Sequence, residues 1–241
     1  MPDRSPLLPS RAELAISVLA IVLPTAVTWL YFIALDGADR WLQQGAYGAG
    51  KTVQFALPLV WICLVHRIRP AVSRPAGWSL ILGGAFGFMI AAAMMVLYLV
   101  VLKPAGLFEG PAAAVRAKVE SFGAGSPLAF VLLALFYSAI HSLLEEYYWR
   151  WFVFRQLARY SRIGTAIVAS SFAFAAHHVL VLGHYFGWTS PLTWLFTIGV
   201  IVGGAFWAWL YYKSRSLFGP WLSHALVDAA IFAIGYRMIM T

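Results

Sequence analysis

Seven apolar runs divide the chain, and most of them approach the ~20 residues that a helix needs to cross a bilayer. They are Leu14–Leu35, Val53–Val65, Trp78–Leu102, Pro127–Tyr148, Ile163–Leu182, Leu192–Tyr212 and Leu217–Tyr236. The second run is short, and we expect its helix to extend back toward Tyr47. Lipid admits only helices and closed barrels, and the runs lack the alternation of barrel strands. The pattern therefore predicts an all-α polytopic membrane helix bundle with about seven to eight transmembrane helices.

Composition strengthens this prediction and excludes one class of partner. The chain is 62% hydrophobic and 11% charged, whereas a soluble domain has about 25% charged residues. The surplus apolar surface has to face the lipid bilayer. The net charge of +8 would suggest nucleic acid in a soluble protein. Here the basic residues lie in short loops, so we expect no nucleic acid as a partner.

The distribution of basic residues predicts the topology. With the N-terminus inside, inner segments hold 11 of the 17 lysines and arginines, as the positive-inside rule requires. The first apolar run is too long for a signal-peptide core, so we expect it to be retained. We therefore expect a multi-pass protein of the bacterial inner membrane with a cytoplasmic N-terminus. The inner basic residues are Arg4, Arg11, Arg67, Arg69, Arg74, Arg150, Arg155, Arg159, Arg162, Lys213 and Arg215.

Two segments differ from the simple spans. Residues 105–125 mix small apolar residues with charges, which is typical of an amphipathic helix on the outer surface. Residues 147–160 mix aromatic residues with arginines, and we expect the fourth helix to continue into them. We divide the chain at residue 126: residues 1–126 hold the first transmembrane helices with the amphipathic outer segment, and residues 127–241 hold the transmembrane core of the C-terminal half.

Only three of the nine acidic residues lie in or at the deep end of the apolar runs: Glu145, Glu146 and Asp228. An ionisable group costs about 2.5–3.5 kcal/mol at such a place, so it is a functional candidate by default. Four histidines share these runs, and they are His141, His177, His178 and His224.

These residues form three clusters, which read EEYYWR (145–150), FAAHH (174–178) and HALVD (224–228). At α-helical spacing, Glu146 shares a face with Arg150, which can neutralise it. Glu145 is turned about 100° away and can face another neighbour. His224 and Asp228 also share a face and could hydrogen-bond directly. Each cluster alone could be structural, as a helix-end ion pair or a polar contact between helices.

In this order, the three clusters resemble the motifs of the CAAX-protease and bacteriocin-processing (CPBP, or Abi) membrane proteases. That family has Glu-Glu-x-x-x-Arg, then Phe-x-x-x-His, then His-x-x-x-Asn/Asp. The resemblance covers roughly residues 127–235. It implies an intramembrane endopeptidase, a CAAX prenyl endopeptidase-like hydrolase, with residues 127–241 as its catalytic core in the C-terminal half. Its substrate would be a protein or peptide, such as a CAAX-type tail, a leader peptide or a C-terminal sorting signal.

The resemblance also implies a role for each matching residue. The catalytic set is Glu145, Glu146, His178, His224 and Asp228, and the structural support is Arg150 and Phe174. Glu145 would be the base that activates a water, with Glu146 as its supporting partner. Phe174 sets the register that selects His178 over His177 to hold this water.

The last pair in the resemblance would stabilise the developing oxyanion. His224 and Asp228 align with the residues that bind the carbonyl oxygen. Asp228 can donate a hydrogen bond to that oxygen only when protonated; otherwise it can orient His224. No cofactor is expected, since the His-Glu-x-x-His helix of zincins is absent. The alternative is Zn²⁺ held by His178, His224 and Glu145.

Two other functions stay open from the sequence. One is a non-catalytic membrane protein of the bacteriocin-immunity kind, and the other is a proton-coupled transporter that uses the buried ionisable groups as a relay. Inverted repeats with broken helices would favour the transporter, and the sequence shows neither clearly. The sequence leaves the oligomeric state open.

Overall fold

The computed structural model describes residues 10–67 and 73–239, and helices are its regular elements. Arg4 and Arg69, which count toward the predicted topology, lie outside the described residues. The eight helices of this part are α1 (Arg11–Ala34), α2 (Arg40–Val65), α3 (Gly77–Leu102), α4 (Glu109–Ser121), α5 (Pro127–Tyr160), α6 (Ile163–Phe186), α7 (Pro191–Ser214) and α8 (Phe218–Ile239).

Seven of these helices, all except α4, are long and apolar enough to cross a membrane. They correspond one to one to the seven predicted runs, so the predicted all-α polytopic bundle is confirmed. α4 has 13 residues and matches the helix predicted within residues 105–125. α5 has 34 residues, because it continues through residues 147–160 as expected.

The second helix is the largest departure from the predicted bounds. It begins at Arg40 and has 26 residues, whereas the apolar run begins at Val53 and the sequence predicts an extension back only toward Tyr47. Asp39 caps it, because its side chain accepts a hydrogen bond of 2.9 Å from the backbone N–H of Trp41. This cap satisfies a backbone donor that would otherwise lack a partner, and so it lets the helix start in a polar stretch.

Five π-helical stretches interrupt the α-helical turns of the described chain, and two of them lie in α5. These two are Phe136–His141 and Tyr147–Phe154. They flank the short α-helical segment Ser142–Glu146, which carries both glutamates of the first cluster. A π-helical turn holds more residues than an α-helical one, so the expected rotation of 100° per residue does not extend past Glu146.

The chain forms two compact units. The first comprises Met1–Ser73 and Tyr147–Tyr212, and the second comprises Arg74–Glu146 and Lys213–Thr241. The first unit therefore contains α1, α2, the C-terminal part of α5, α6 and most of α7. The second contains α3, α4, the N-terminal part of α5, and α8. The division predicted at residue 126 stays a prediction.

A polar contact to the backbone ties helices together in the core of the first unit. The hydroxyl of Tyr148 on α5 donates a hydrogen bond of 2.7 Å to the carbonyl oxygen of Ala20 on α1. Both residues are fully buried. A buried hydroxyl requires such a partner, so this bond fixes the position of α5 on α1.

In the second unit, α3 and α8 approach so closely that their backbones touch. A Cβ atom placed on Gly87 would lie 2.7 Å from the carbonyl oxygen and 2.8 Å from the Cα of Ser223. A Cβ on Gly83 would overlap the carbonyl group of Gly219. Such small-residue contacts are a common way for membrane helices to pack. They position the segment of α8 that immediately precedes His224.

We predict that Gly87→Ala destabilises the protein, because the added methyl group has no room at the α3–α8 contact. Overpacking of this kind costs about 1–3 kcal/mol, which outweighs the up to about 1 kcal/mol that alanine gains in helix propensity. The thermal unfolding midpoint in detergent should fall.

Gly84→Ala is the matched control on the same helix. A Cβ on Gly84 would meet only the side chain of Leu222, at an ordinary 3.5 Å. An equal loss of stability in both variants would contradict the proposed role of the close contact.

Candidate active site

The acidic cluster of α5 and the polar end of α8 meet in the second unit. Glu145 and Glu146 are 3% and 0% exposed, and His224 is 4% exposed. The Asp228 side chain is more accessible than these three. Buried ionisable groups are stable only when they compensate one another. The structure therefore brings four of the predicted site residues together within one unit.

His224 is at the centre of this cluster, and its two ring nitrogens have different surroundings. Nδ1 lies 2.9 Å from Oε1 of Glu146, which is hydrogen-bond distance. Nε2 lies 3.7 Å from Oε2 of Glu145 and 3.7 Å from Oδ1 of Asp228. Because carboxylate oxygens accept hydrogen bonds, the bond to Glu146 assigns a proton to Nδ1.

This geometry differs in one respect from the sequence expectation. The i,i+4 spacing allows a direct hydrogen bond between His224 and Asp228, but their 3.7 Å separation exceeds hydrogen-bond range. The hydrogen bond of His224 goes to Glu146 through Nδ1. Glu146, rather than Asp228, therefore orients the imidazole.

The Nε2 edge of His224 is the part of the cluster that is suited to chemistry. Two carboxyl groups flank it, each slightly too far for a direct hydrogen bond. An oxygen atom of a water or a carbonyl group placed there could interact with the imidazole and with a carboxyl group at once. Hydrolysis requires a base that takes a proton from the attacking water and a hydrogen-bond donor to the carbonyl oxygen, and carboxyl groups and an imidazole can supply these functions.

Two features of the local structure position this cluster. The indole N–H of Trp221 on α8 donates a hydrogen bond of 2.8 Å to the carbonyl oxygen of Ala139 on α5. Ala139 belongs to the π-helical stretch that precedes the glutamates. Together with the contact of Gly87 against Ser223, this bond fixes the start of α8 against both α5 and α3.

In the first unit, His178 is held by the backbone of its own helix. Its Nδ1 lies 2.9 Å from the carbonyl oxygen of Phe174. A carbonyl oxygen can only accept, so Nδ1 carries the proton and Nε2 of the neutral ring carries the lone pair. The ring of Phe174 also contacts that of His178, with 4.5 Å between centroids. Phe174 thus orients His178 by two contacts, which suits a residue that accepts a proton or holds a water.

The neighbouring His177 has the surroundings of a packing residue. It is buried and lies parallel to the indole of Trp149, with 5.7 Å between ring centroids and an interplanar angle of 6°. His178 is less buried than His177. The motif register selects His178 as the functional histidine, and this choice stays a prediction.

Arg150 lies in an aromatic cage of the first unit. Its guanidinium carbon is 4.8 Å from the ring centre of Phe174 and 5.5 Å from that of Trp207. Arg150 is fully buried, so these faces contribute to stabilising its charge, by up to about 2 kcal/mol when desolvated. The same ring of Phe174 thus contacts both Arg150 and His178.

Trp207 and Trp149 contribute to this arrangement but were not among the predicted site residues. Both lie in apolar segments that contain many other aromatic residues; Trp149 occupies a variable position of Glu-Glu-x-x-x-Arg, and Trp207 lies outside the three motifs. Their roles depend on which rings the fold brings against Arg150 and His177. Local sequence carries no signal for such a contact.

The predicted site residues therefore fall into two groups. The second unit holds Glu145, Glu146, His224 and Asp228, and the first unit holds Arg150, Phe174 and His178. The structure brings the members of each group together, and their catalytic roles stay predictions.

Comparison with known families bears on this arrangement. Residues 127–230 match a family model named Rce1-like, and its description is type II CAAX prenyl endopeptidase Rce1-like. The match confirms the family inferred from the three motifs, and it contains all seven predicted site residues. No curated protein and no solved structure matches the chain. The seven apolar helices indicate a multi-pass membrane protein, and residues 127–230 are similar to a protease family.

We predict that Trp207→Leu lowers the thermal unfolding midpoint, because it removes one aromatic face from Arg150 and leaves a cavity. Together these losses should cost about 2 kcal/mol or more. Trp207→Phe, which keeps a ring, should lose less.

Trp209→Leu is the matched control two residues further along α7, where the side chain is 37% exposed. It should leave the midpoint almost unchanged. If the unfolding midpoint of Trp207→Leu equals that of Trp209→Leu, the proposed stabilisation of Arg150 by the ring of Trp207 is wrong.

Proposed function

We propose that this Rce1-like protein is an intramembrane endopeptidase in which Glu145 activates a water for attack on a peptide bond. The observation that carries the proposal is the buried His224, with Glu146 on one ring nitrogen and Glu145 and Asp228 beside the other. The family match supports the reaction class. A proton relay could use the same groups, and the match to a peptidase family is what favours hydrolysis over transport.

The proposed reaction starts with proton transfer from a water to the carboxylate of Glu145. The resulting hydroxide forms a bond to the scissile carbonyl carbon, and the carbonyl oxygen becomes negative. His224 donates from Nε2 to that oxygen, which requires the imidazole to carry protons on both nitrogens. The C–N bond then breaks, and Glu145 returns its proton to the leaving amine.

Glu146 and Asp228 support His224 in this proposal. The carboxylate of Glu146 holds Nδ1 and so keeps the ring oriented, as carboxylates commonly do for catalytic histidines. Asp228 flanks Nε2, where its acid form would donate a second hydrogen bond to the oxyanion. His178 is assigned to the attacking water from its motif position and from the lone pair on its Nε2.

The substrate proposed is a protein or peptide cut near the membrane, with a CAAX-type tail, a leader peptide and a C-terminal sorting segment as the candidate classes. The enzyme would reside in a bacterial inner membrane with its N-terminus in the cytoplasm, as the basic residues indicate. The reaction proposed needs no metal and no cofactor.

We predict that Glu145→Gln abolishes peptide cleavage, because an amide cannot accept the proton of the water. Purified protein in lipid vesicles would be incubated with peptides of the three substrate classes, and products would be followed by mass spectrometry. The rate should fall by at least about 100-fold, the usual contribution of a general base.

The exposed Glu109 on α4 provides the matched control, and Glu109→Gln should cleave at the wild-type rate. Full activity in Glu145→Gln would overturn the assignment of the base. Activity that disappears with a chelator and returns with Zn²⁺ would replace the metal-free mechanism by the zinc alternative.

Asp228→Asn tests how the last motif residue acts. An asparagine always carries amide donors, so a role in donating to the oxyanion predicts activity within about tenfold of wild type. Larger losses in kcat with unchanged KM would instead assign Asp228 to charge compensation of His224. The family pattern accepts either residue, and we expect Asp228→Asn to be active.

A further inference from the structure

Three side chains of the first unit form a ladder along one face of α5, at intervals of four residues: Tyr147, Trp151 and Arg155. The rings of Tyr147 and Trp151 stack, with 5.3 Å between centroids and an interplanar angle of 22°. The guanidinium carbon of Arg155 lies 5.6 Å from the ring centre of Trp151. The Tyr147 hydroxyl is 3.4 Å from the carbonyl oxygen of Phe55, so the Tyr147 end of the ladder is held against α2.

The two arginines of this helix end have different partners. Arg159 lies 3.5 Å from the carboxylate of Glu13 on α1 and 3.3 Å from the side-chain oxygen of Gln156. Arg155 is exposed, and within residues 10–67 and 73–239 no carboxylate pairs with it. The ring of Trp151 therefore positions Arg155, and the charge of Arg155 is available to a ligand outside the protein.

The position of this end along α5 suits a membrane interface. α5 has 34 residues, well above the ~20 that cross the hydrocarbon core, so at least one of its ends extends beyond the core. The end that holds Arg155 and Arg159 suits the headgroup layer, because charged side chains are costly in hydrocarbon. Tryptophan is enriched at that depth, with its ring among the acyl chains and headgroups.

Basic residues outnumber acidic residues at this end of α5. Arg11, Arg155, Arg159 and Arg162 lie at or next to helix ends that meet near the Glu13–Arg159 pair, and Glu13 is the acid that pairs there. Basic residues close to a membrane surface attract anionic lipid. The charge complementarity thus favours an anionic lipid over a zwitterionic one.

We propose that Arg155, seated on the ring of Trp151, binds the phosphate of an anionic phospholipid headgroup. A guanidinium stacked by its face keeps its N–H edges directed sideways, where they can hold two phosphate oxygens at once. Trp151 fixes the orientation of the guanidinium in advance and so lowers the entropy cost of binding. This inference concerns lipid binding and does not depend on the proposed peptidase activity.

The test compares lipid retention by the full chain, purified in mixed micelles of phosphatidylglycerol and phosphatidylcholine. Native mass spectrometry would count the bound lipids, and thermal unfolding would report stabilisation by each lipid. Wild type should retain phosphatidylglycerol preferentially. Arg155→Gln should reduce this preference roughly fivefold, the effect of one basic residue near an anionic surface.

Arg159→Gln is the matched control on the same helix, since Glu13 already compensates its charge, and it should keep most of the preference. Arg155→Lys keeps the charge and loses the planar fork, so we expect an intermediate value. Trp151→Leu should also weaken retention, whereas Trp151→Phe should preserve it. Equal losses in Arg155→Gln and Arg159→Gln would overturn the proposal, because they would indicate surface charge alone.

Two further measurements separate a lipid site from a site for a soluble anion and from a loss of folding. Inorganic phosphate at millimolar concentration should not displace the lipid; full displacement would identify a soluble-anion site and contradict the proposal. Each variant should unfold at the wild-type temperature in phosphatidylcholine alone. If Arg155→Gln fails to fold, Arg155→Lys and Trp151→Leu decide the question, and wild-type retention in both would overturn it.

Discussion

The compensation of ionisable groups inside an apolar helix bundle is the constraint on which the rest of the structure depends. Hydrocarbon offers no water to a charged or polar group, so each one has to find its partners within the protein. Glu146 meets this requirement through His224. Arg150 finds the rings of Phe174 and Trp207. Because such partners cannot be exchanged for water, a buried cluster of this kind holds one geometry.

That constraint also explains how much of the site could be predicted from the sequence. Glu145, Glu146 and Asp228 are conspicuous because most of the other acidic residues lie outside the apolar runs, and the cost of burying them makes a functional role the default. The seven helices were predictable for a related reason, since crossing the bilayer sets their length. The start of α2 could not be predicted in this way, because residues 40–52 contain glutamines, a lysine and glycines. In addition, hydropathy does not register a local helix cap such as the one from Asp39.

The parts that sequence reasoning missed depend on contacts between distant residues. Trp207 contacts Arg150 only because the fold brings α7 beside α5, and no spacing along the chain indicates it. The same applies to Gly83 and Gly87 on α3, which lie outside the segment that resembles the protease family. Their lack of side chains lets α3 meet the backbone of α8 just before His224. A helix without any motif residue therefore contributes to the placement of a motif residue.

The π-helical stretches of α5 limit what periodicity can predict at this site. Regular α-helical spacing predicts that Glu146 and Arg150 share a face, but this spacing does not extend into the stretch Tyr147–Phe154, which begins immediately after Glu146. The fold adds a partner that periodicity does not indicate, because Glu146 bonds to His224 on another helix. With Nδ1 of His224 committed to Glu146, only Nε2 can face a substrate, and Glu145 and Asp228 are the carboxyl groups beside it. The oxygen of a scissile peptide would therefore have to approach from the side of Asp228 and Glu145, which makes the proton on Asp228 the feature that decides whether this edge attracts or repels an oxyanion.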